Sequence, residues 1–235
     1  QLLRGTFVFD ENVSPEMAAW AEVMQQTPEA QARPPIVGVM TSGQFQFAFR
    51  QATEKTSSSC VGGMNYTIWK AMATSDYCAS FLSVMLSLPF MFGFVNLRWL
   101  NEIDVMLEKK KGLRQIHRLR IIGLLEADFN TALKFFFSQQ MQSAAELNGI
   151  SDEQWGSRKN RQAIDAAMIK LLSFECARAK RSTIGEISYD LKACFDMMDI
   201  SHSNLHALRH NVDSNVLRCR ALVKRGLKRR VKTGL

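Results

Sequence analysis

Glycine and proline are scarce in this chain of 235 residues, 13 and 5 respectively, and neither recurs at a fixed interval. A collagen-like repeat is excluded, as is a Pro/Gly-rich disordered chain. The cysteines are five, an odd number, and none are spaced C-x-x-C, which excludes a disulfide-stapled miniprotein and leaves free thiols in a reducing compartment as the expectation. No succession of charged, apolar and small residues marks a signal peptide, so an intracellular location, nuclear or cytoplasmic, is expected rather than secretion. No initiator Met precedes Gln1, and the chain reads as a piece of something longer. What is present, 46% apolar and 22% charged residues, is ordinary globular material, enough for one large or two small cores.

The net charge of +8 is unevenly placed. From Val216 to Leu235 stand eight basic residues (Arg218, Arg220, Lys224, Arg225, Lys228, Arg229, Arg230 and Lys232) and no acid, while the remainder of the chain is neutral. A segment of this density can neutralise phosphates and release counterions. A solvated helical face or a fraying end has the same composition, and charge alone does not choose between them.

Residues 1–40 are poorly periodic and contain Arg33-Pro34-Pro35, the mark of an extended, poorly ordered lead-in. Phe45, Phe47 and Phe49 alternate as in a strand, yet the flanking residues also suit a helix. Thr56 to Ser59 and Gly62-Gly63 read as a turn before a helix; the P-loop spacing is missing, since Lys70 comes too late. Cys78 to Leu97 carries no charge and is long enough for a bilayer, but Ser80, Ser83, Ser87, Asn96 and Pro89 point to a buried helix ending near Leu88-Pro89-Phe90. Glu108 to Gly112 is a charged turn. Arg120 to Leu125 suits a buried strand, and Asp128 can cap a helix carrying Phe129, Ala132, Leu133, Phe136, Phe137 and Met141 on one face, ended by Gly149. A second amphipathic helix starts near Arg161, with Ile164, Ala167, Met168, Leu171 and Leu172 together. Ile184 to Leu191 alternates as a strand, and helices follow to the basic end.

His202, His206 and His210 recur every four residues, on one face if the segment is helical. Zinc-protease spacing would also need Glu directly after the first His, where Ser203 stands, so three polar rings on a helix face is the expectation. Tyr189 to Asp196 differs: an apolar strand delivers Asp190, and five residues later Phe195 precedes a second carboxylate, Asp196. A carboxylate fixed at a strand end can hold a divalent metal, with a ring nearby to sense the sugar of a nucleotide.

Three segments in order resemble motifs of reverse transcriptases. Leu119 to Asn130, with trailing Lys134, resembles the first fingers motif of R-P-I-x-L-L kind, with Ile121 in place of Pro. Glu153 to Asn160 resembles the second, Q-x-G-x-R-x-G, with Ser157 in place of an aromatic and Asn160 in place of Gly. Asp190 to Asp196 resembles the first palm motif, D-x-K-x-A-[FY]-D, of the non-LTR retrotransposon type. Residues 57–111 resemble the lead-in of such enzymes, and the likeness runs from about Thr41 to Leu235. No adjacent Asp pair and no Gln-Gly-x-Pro motif follow.

The resemblance implies an α+β, mostly helical fold over residues 41–235, comprising the fingers and the start of the palm of a right-hand polymerase. It implies RNA-directed DNA synthesis with two Mg²⁺ ions, an RNA template, a DNA primer and a deoxynucleoside triphosphate, and no membrane. Asp190 would hold both ions, with the Leu191 carbonyl on one. Phe195 would be the steric gate, Arg120 and Lys110 cations on the triphosphate, and Arg158 a contact to template phosphate or a support of the fingers. Arg218, Arg220, Lys224, Arg225, Lys228, Arg229 and Arg230 would lie near nucleic acid. Without the Asp pair this chain alone is expected to be inactive. The competing expectation is a decayed or non-catalytic retroelement product that only binds nucleic acid.

Overall fold

The computed structural model describes residues 14–52, 64–109, 112, 115, 119–148, 150–189 and 199–232. The chain divides into two units, residues 1–142 with 200–235, and residues 143–199. The class is α+β and mostly helical.

In the first unit the segment expected to be an extended lead-in forms α1 (Pro15–Met24) and α2 (Pro28–Gln31). Both are tied to the distant α9 (Ile200–Arg209). Gln26 Nε2 donates to the Leu208 carbonyl at 3.2 Å, and Asn211 Nδ2 donates to the carbonyls of Ala30 and Arg33 at 3.1 and 2.9 Å. Ile36 then pairs with Val212 in a parallel bridge. Asn211 adopts φ 61°, a left-handed turn that Asn tolerates, and this aims its amide at the lead-in. These tertiary hydrogen bonds replace the periodicity that the segment lacks.

His210 adjoins this junction. Its Nδ1 is buried without a partner, and burial, then the charges of Arg209, Arg33 and His206, push its pKa below 6.5. A histidine favoured neutral in the fold contributes stability that is complete above pH 6.5 and lost as pH falls below it towards the lowered value. Urea midpoints at pH 7.5 and 5.5 should therefore fall more for the wild type than for His210→Gln; parallel falls would remove His210 from the account.

Phe45 and Phe49 settle as a helix, α3 (Ser42–Arg50), with both rings fully buried and Phe47 exposed. Thr41 and Gln44 close a capping box at its start, satisfying backbone N–H groups that a strand reading would leave to a sheet partner. After α4 (Tyr66–Met72), α5 (Asp76–Phe92) carries the uncharged segment. Pro89 has no N–H to give the preceding turn, and the helix stops three residues later at Phe92, capped by Gly93 at φ 65°. Ser87 Oγ donates to the Ser83 carbonyl at 2.6 Å and accepts the Met40 N–H at 2.9 Å, so these serines face the core. Among the described residues no helix is long and apolar enough to cross a membrane.

A 3₁₀ turn (Leu97–Leu100) leads into β1 (Asn101–Glu108), which pairs antiparallel with β2 (Leu119–Leu124). The strand expected over residues 120–125 is thus present but not buried: Ile121 and Ile122 point to opposite faces and both are exposed, so neither face of β2 is fully covered there. Asp128 is not the cap of α6 (Ala127–Leu133); Glu126 holds that position and Asp128 sits buried inside the first turn. From Lys134 to Gln142 the helix widens to π geometry, which brings both Phe135 and Phe136 into the core. Phe90 of α5, Trp99, Phe129 and Phe136 form the aromatic centre, with ring separations of 4.9 to 6.2 Å. α10 (Ser214–Gly226) packs Val216, Cys219 and Val223 against the same core. Burial pushes the Cys219 thiol up to about 12, leaving it inert, and Cys78 and Cys176 are also free thiols.

Helix does not run to the last of the described residues. β3 (Lys228–Lys232) adds to the free side of β1 in parallel, giving the order β2-β1-β3.

In the second unit α7 (Ser143–Asn148) is followed by a loop and by α8 (Ala163–Ala179). The apolar face expected to be buried is not: Ile164, Met168, Leu171 and Leu172 are exposed. The strand expected over Ile184–Leu191 is not formed across residues 184–189, which run as irregular backbone with Ile187 and Tyr189 exposed. Alternation makes a strand only where a sheet edge offers partners, and none pairs with this stretch among the described residues.

Candidate nucleic-acid interface

The three-stranded sheet separates its charges by face. Successive strand residues point to opposite sides, and register partners share a side. On β1, Glu102 and Asp104 occupy one side and are buried; Arg229, the register partner of Glu102, reaches its carboxylate at 3.2 Å. Opposite Asp104 stands Gly123, where any Cβ would collide with the Glu102 carboxylate. The acids therefore have room only because β2 lacks a side chain there.

The other side carries cations. Lys228, Arg230 and Lys232 of β3 pair with Asn101, Ile103 and Val105, and Arg120 of β2 pairs with Leu107. All four cations are exposed. Alternate residues along β3 lie about 6.6 Å apart, and β2 and β3 are separated by about 10 Å across β1. Between the two basic edges run Ile103, Val105, Leu107 and Ile122. Such a face offers cations for a phosphate backbone and an apolar strip for sugars or bases.

The other residues singled out in the sequence fall elsewhere. Asp190, Leu191, Phe195 and Lys110 lie outside the described residues. Arg158 belongs to the second unit, where its nearly buried guanidinium donates to the carbonyls of Ser151 and Gln154 at 2.8 and 3.5 Å and sits 3.9 Å from Asp152. It closes a loop and is not open to a template phosphate. Neighbouring Arg161 lies over the Trp155 ring at 5.0 Å and also grips Asp152.

Nor is the basic end uniform. Arg220 is withdrawn from it: its guanidinium lies 4.7 Å over Phe137 and donates to Asn204 Oδ1 and Ser203 Oγ at 3.1 and 2.8 Å. Burial pulls its pKa below the usual arginine value. Arg229 faces the acidic side. Arg218, Lys224 and Arg225 are exposed on α10 and supply a second, helical set. Lys232 joins the sheet face although the motifs single out nothing so late in the chain.

A separate buried cluster had no sequence signal. Arg98 pairs with Asp128, and with Glu126 at 3.5 Å, while the Trp99 indole N–H donates to Asp128 Oδ2 at 3.1 Å. Burial raises the Asp128 pKa, opposed by Arg98, the Trp99 N–H and the nearby backbone N–H groups of Phe129 and Asp128. Asp128 Oδ1 has no donor in bonding geometry. Only an intramolecular partner thirty residues away explains a carboxylate at this depth, and spacing does not encode it.

Among the described residues no three His, Cys, Asp or Glu side chains gather as a metal site. The Mg²⁺ ions implied by the resemblance would rest on Asp190 and the Leu191 carbonyl, which lie outside the described residues. No protein-family model matches the sequence, and no curated protein is similar to it.

Proposed function

We propose that the chain is part of a reverse-transcriptase-type polymerase of the non-LTR retrotransposon kind, and that the basic face of its sheet holds a nucleic-acid backbone. One observation carries this reading. Arg120, singled out by the first fingers motif, and Lys228, Arg230 and Lys232, singled out by charge alone, meet on one sheet face although a hundred residues of sequence separate them. A second supports it: Asn160, standing where the motif has Gly, adopts φ 60°, the left-handed conformation that Gly favours. The placement as fingers and early palm rests on the motifs, since a three-stranded sheet is too small to identify either. In this reading the partners are RNA template, DNA primer and deoxynucleotide, the two Mg²⁺ ions belong to the intact enzyme, and the location is intracellular.

The second reading is a decayed or non-catalytic retroelement product that binds nucleic acid. It is favoured by the irregular backbone at residues 184–189, where the strand delivering Asp190 was expected. Flanking DNA separates the two. An in-frame continuation into an adjacent Asp pair supports the polymerase, and stops or frameshifts support the decayed product.

Both readings require the basic face to bind. Four phosphate contacts give a log–log salt slope near −3 for single strands, from roughly −0.7 per contact. Alanine at Arg120, Lys228, Arg230 and Lys232 together should flatten that slope and abolish most binding to a single-stranded RNA, measured by fluorescence anisotropy. Alanine at Arg218, Lys224 and Arg225 should change it less. If the two triple and quadruple variants behave in the reverse order, α10 and not the sheet is the interface.

A further inference from the structure

α5 is covered on one side only. Ala79, Ser83, Leu86 and Phe90 are buried, and α3 and α10 pack against the helix. The opposite side carries Tyr77, Phe81, Val84, Leu88 and Met91, spaced by four, three, four and three residues. That is the heptad seam by which one helix packs along another. Tyr77, Phe81 and Val84 are 85%, 60% and 58% exposed, and Leu88 is half-buried. Met85 and Phe92, 50% and 63% exposed, flank the seam.

The size of this stripe is unusual. A covered aromatic side chain buries about 150–250 Å², so Tyr77, Phe81 and Phe92 alone present roughly 400 Å² to solvent. With the aliphatic and thioether side chains the stripe reaches about 700 Å², whereas the largest apolar patch of an ordinary monomer is about 300–600 Å². Two such stripes facing one another bring about 1,400 Å² together, within the range of about 1,200–2,000 Å² that stable protein pairs bury.

Charge selects the occupant. Asp76 is the only charged residue of α5, and it lies beyond the end of the seam. A helix lying on a membrane surface is rimmed by Lys and Arg, and α5 has neither. The seam also lacks the charges by which a different protein would be selected. A second copy of this chain needs none, because two-fold symmetry matches the face to itself. With the helices antiparallel and the axis at Val84, the middle and smallest of the five, Tyr77 meets the partner's Met91 and Phe81 meets the partner's Leu88. This direction also sets the two Asp76 carboxylates at opposite ends and opposes the helix dipoles.

We propose that two copies of this chain pair through the 77–91 stripe of α5 as an antiparallel, two-fold dimer. The pairing is independent of the basic sheet face and of the polymerase reading.

The test is sedimentation equilibrium of the full chain from about 1 to 100 µM, since interfaces of this area have affinities of micromolar or tighter. The mass should rise with concentration from 26.6 kDa to twice that value and no further. Val84→Glu sets two carboxylates against each other at the axis and should weaken pairing at least about tenfold, as should Val84→Lys. Mixing these two variants should restore the dimer, which a variant that failed to fold could not do. Tyr77→Glu mixed with Met91→Lys should restore it as well, because only antiparallel helices bring those positions together. Leu171→Glu, on the exposed face of α8, should leave the dimer intact. The proposal is overturned by a protein still monomeric at about 100 µM, the result expected of a face reserved for a different partner. It is equally overturned by association beyond two copies, by a dimer that survives Val84→Glu or is lost in Leu171→Glu, or by failure of either mixture to restore pairing.

Discussion

Arg98→Met is expected to destabilise the protein by about 3–5 kcal/mol, the usual consequence of removing one partner from a buried ion pair. The reason lies in unequal exposure. The Arg98 side chain is one-third exposed, whereas Asp128 and Glu126 are fully buried, so Arg98 can be rehydrated and the acids cannot. Loss of the guanidinium removes the largest influence holding the Asp128 pKa down, leaving burial to raise it further above 3.8. The native variant then keeps a proton that the unfolded chain releases, so its stability rises as pH falls from 7 through the folded value towards 3.8. Urea denaturation should accordingly show a smaller deficit against wild type at pH 5 than at pH 7. Arg98→Lys restores the charge without the planar fork and should fall between the two. A deficit below about 1 kcal/mol at pH 7 would class the pair with solvent-exposed ion pairs.

Phe90→Ala is expected to cost a similar amount, about 3–5 kcal/mol. Phe90 is wholly buried and meets Trp99, Phe129 and Phe136 with ring centroids 5.5, 6.2 and 5.0 Å away, so its removal empties the junction of α5, the 3₁₀ turn, α6 and the π segment. The backbone of Phe90 also meets Gly38 so closely that a Cβ there would lie 2.4 Å from the Phe90 carbonyl carbon. Gly38→Ala must push the residue 36–40 segment off α5, and overpacking of this kind typically costs about 1–3 kcal/mol. Both changes should lower the denaturation midpoint, and because Gly38 meets the Phe90 backbone, which can shift into the space the ring leaves, their effects should not add. Additive losses would mean that Gly38 and Phe90 are energetically separate.

Helices were legible where two independent signals agreed. The 3.6-residue spacing of Phe129, Ala132 and Phe136 and the stop near Pro89 act within one or two turns, so sequence carries them, whereas the caps Thr41 and Ser75 became evident only in the structure. β2 was legible for the same reason, through its short run of branched residues. Its exposure was not, because burial depends on what lies across the sheet. β3 was illegible: Lys228-Arg229-Arg230-Val231-Lys232 has neither strand composition nor alternation, and it pairs only because α10 delivers it to the open side of β1.

For the candidate interface, the sequence by itself determined the number and kind of cations and their concentration in the last twenty residues. It also determined that Arg120 follows a charged turn. Tertiary structure decided which of those cations face outward together. Register with β1 placed Lys228, Arg230 and Lys232 beside the side of the sheet that Arg120 occupies, turned Arg229 to Glu102, and left Arg220 under Phe137. The lead-in and the Arg98–Asp128 cluster belong to the same class of decision. Both depend on partners distant in sequence, 30 residues for Arg98 and Asp128 and 181 for Asn211 and Ala30. Local propensity acts over a few residues and cannot specify such pairs; they form when packing removes water from groups that must then find each other.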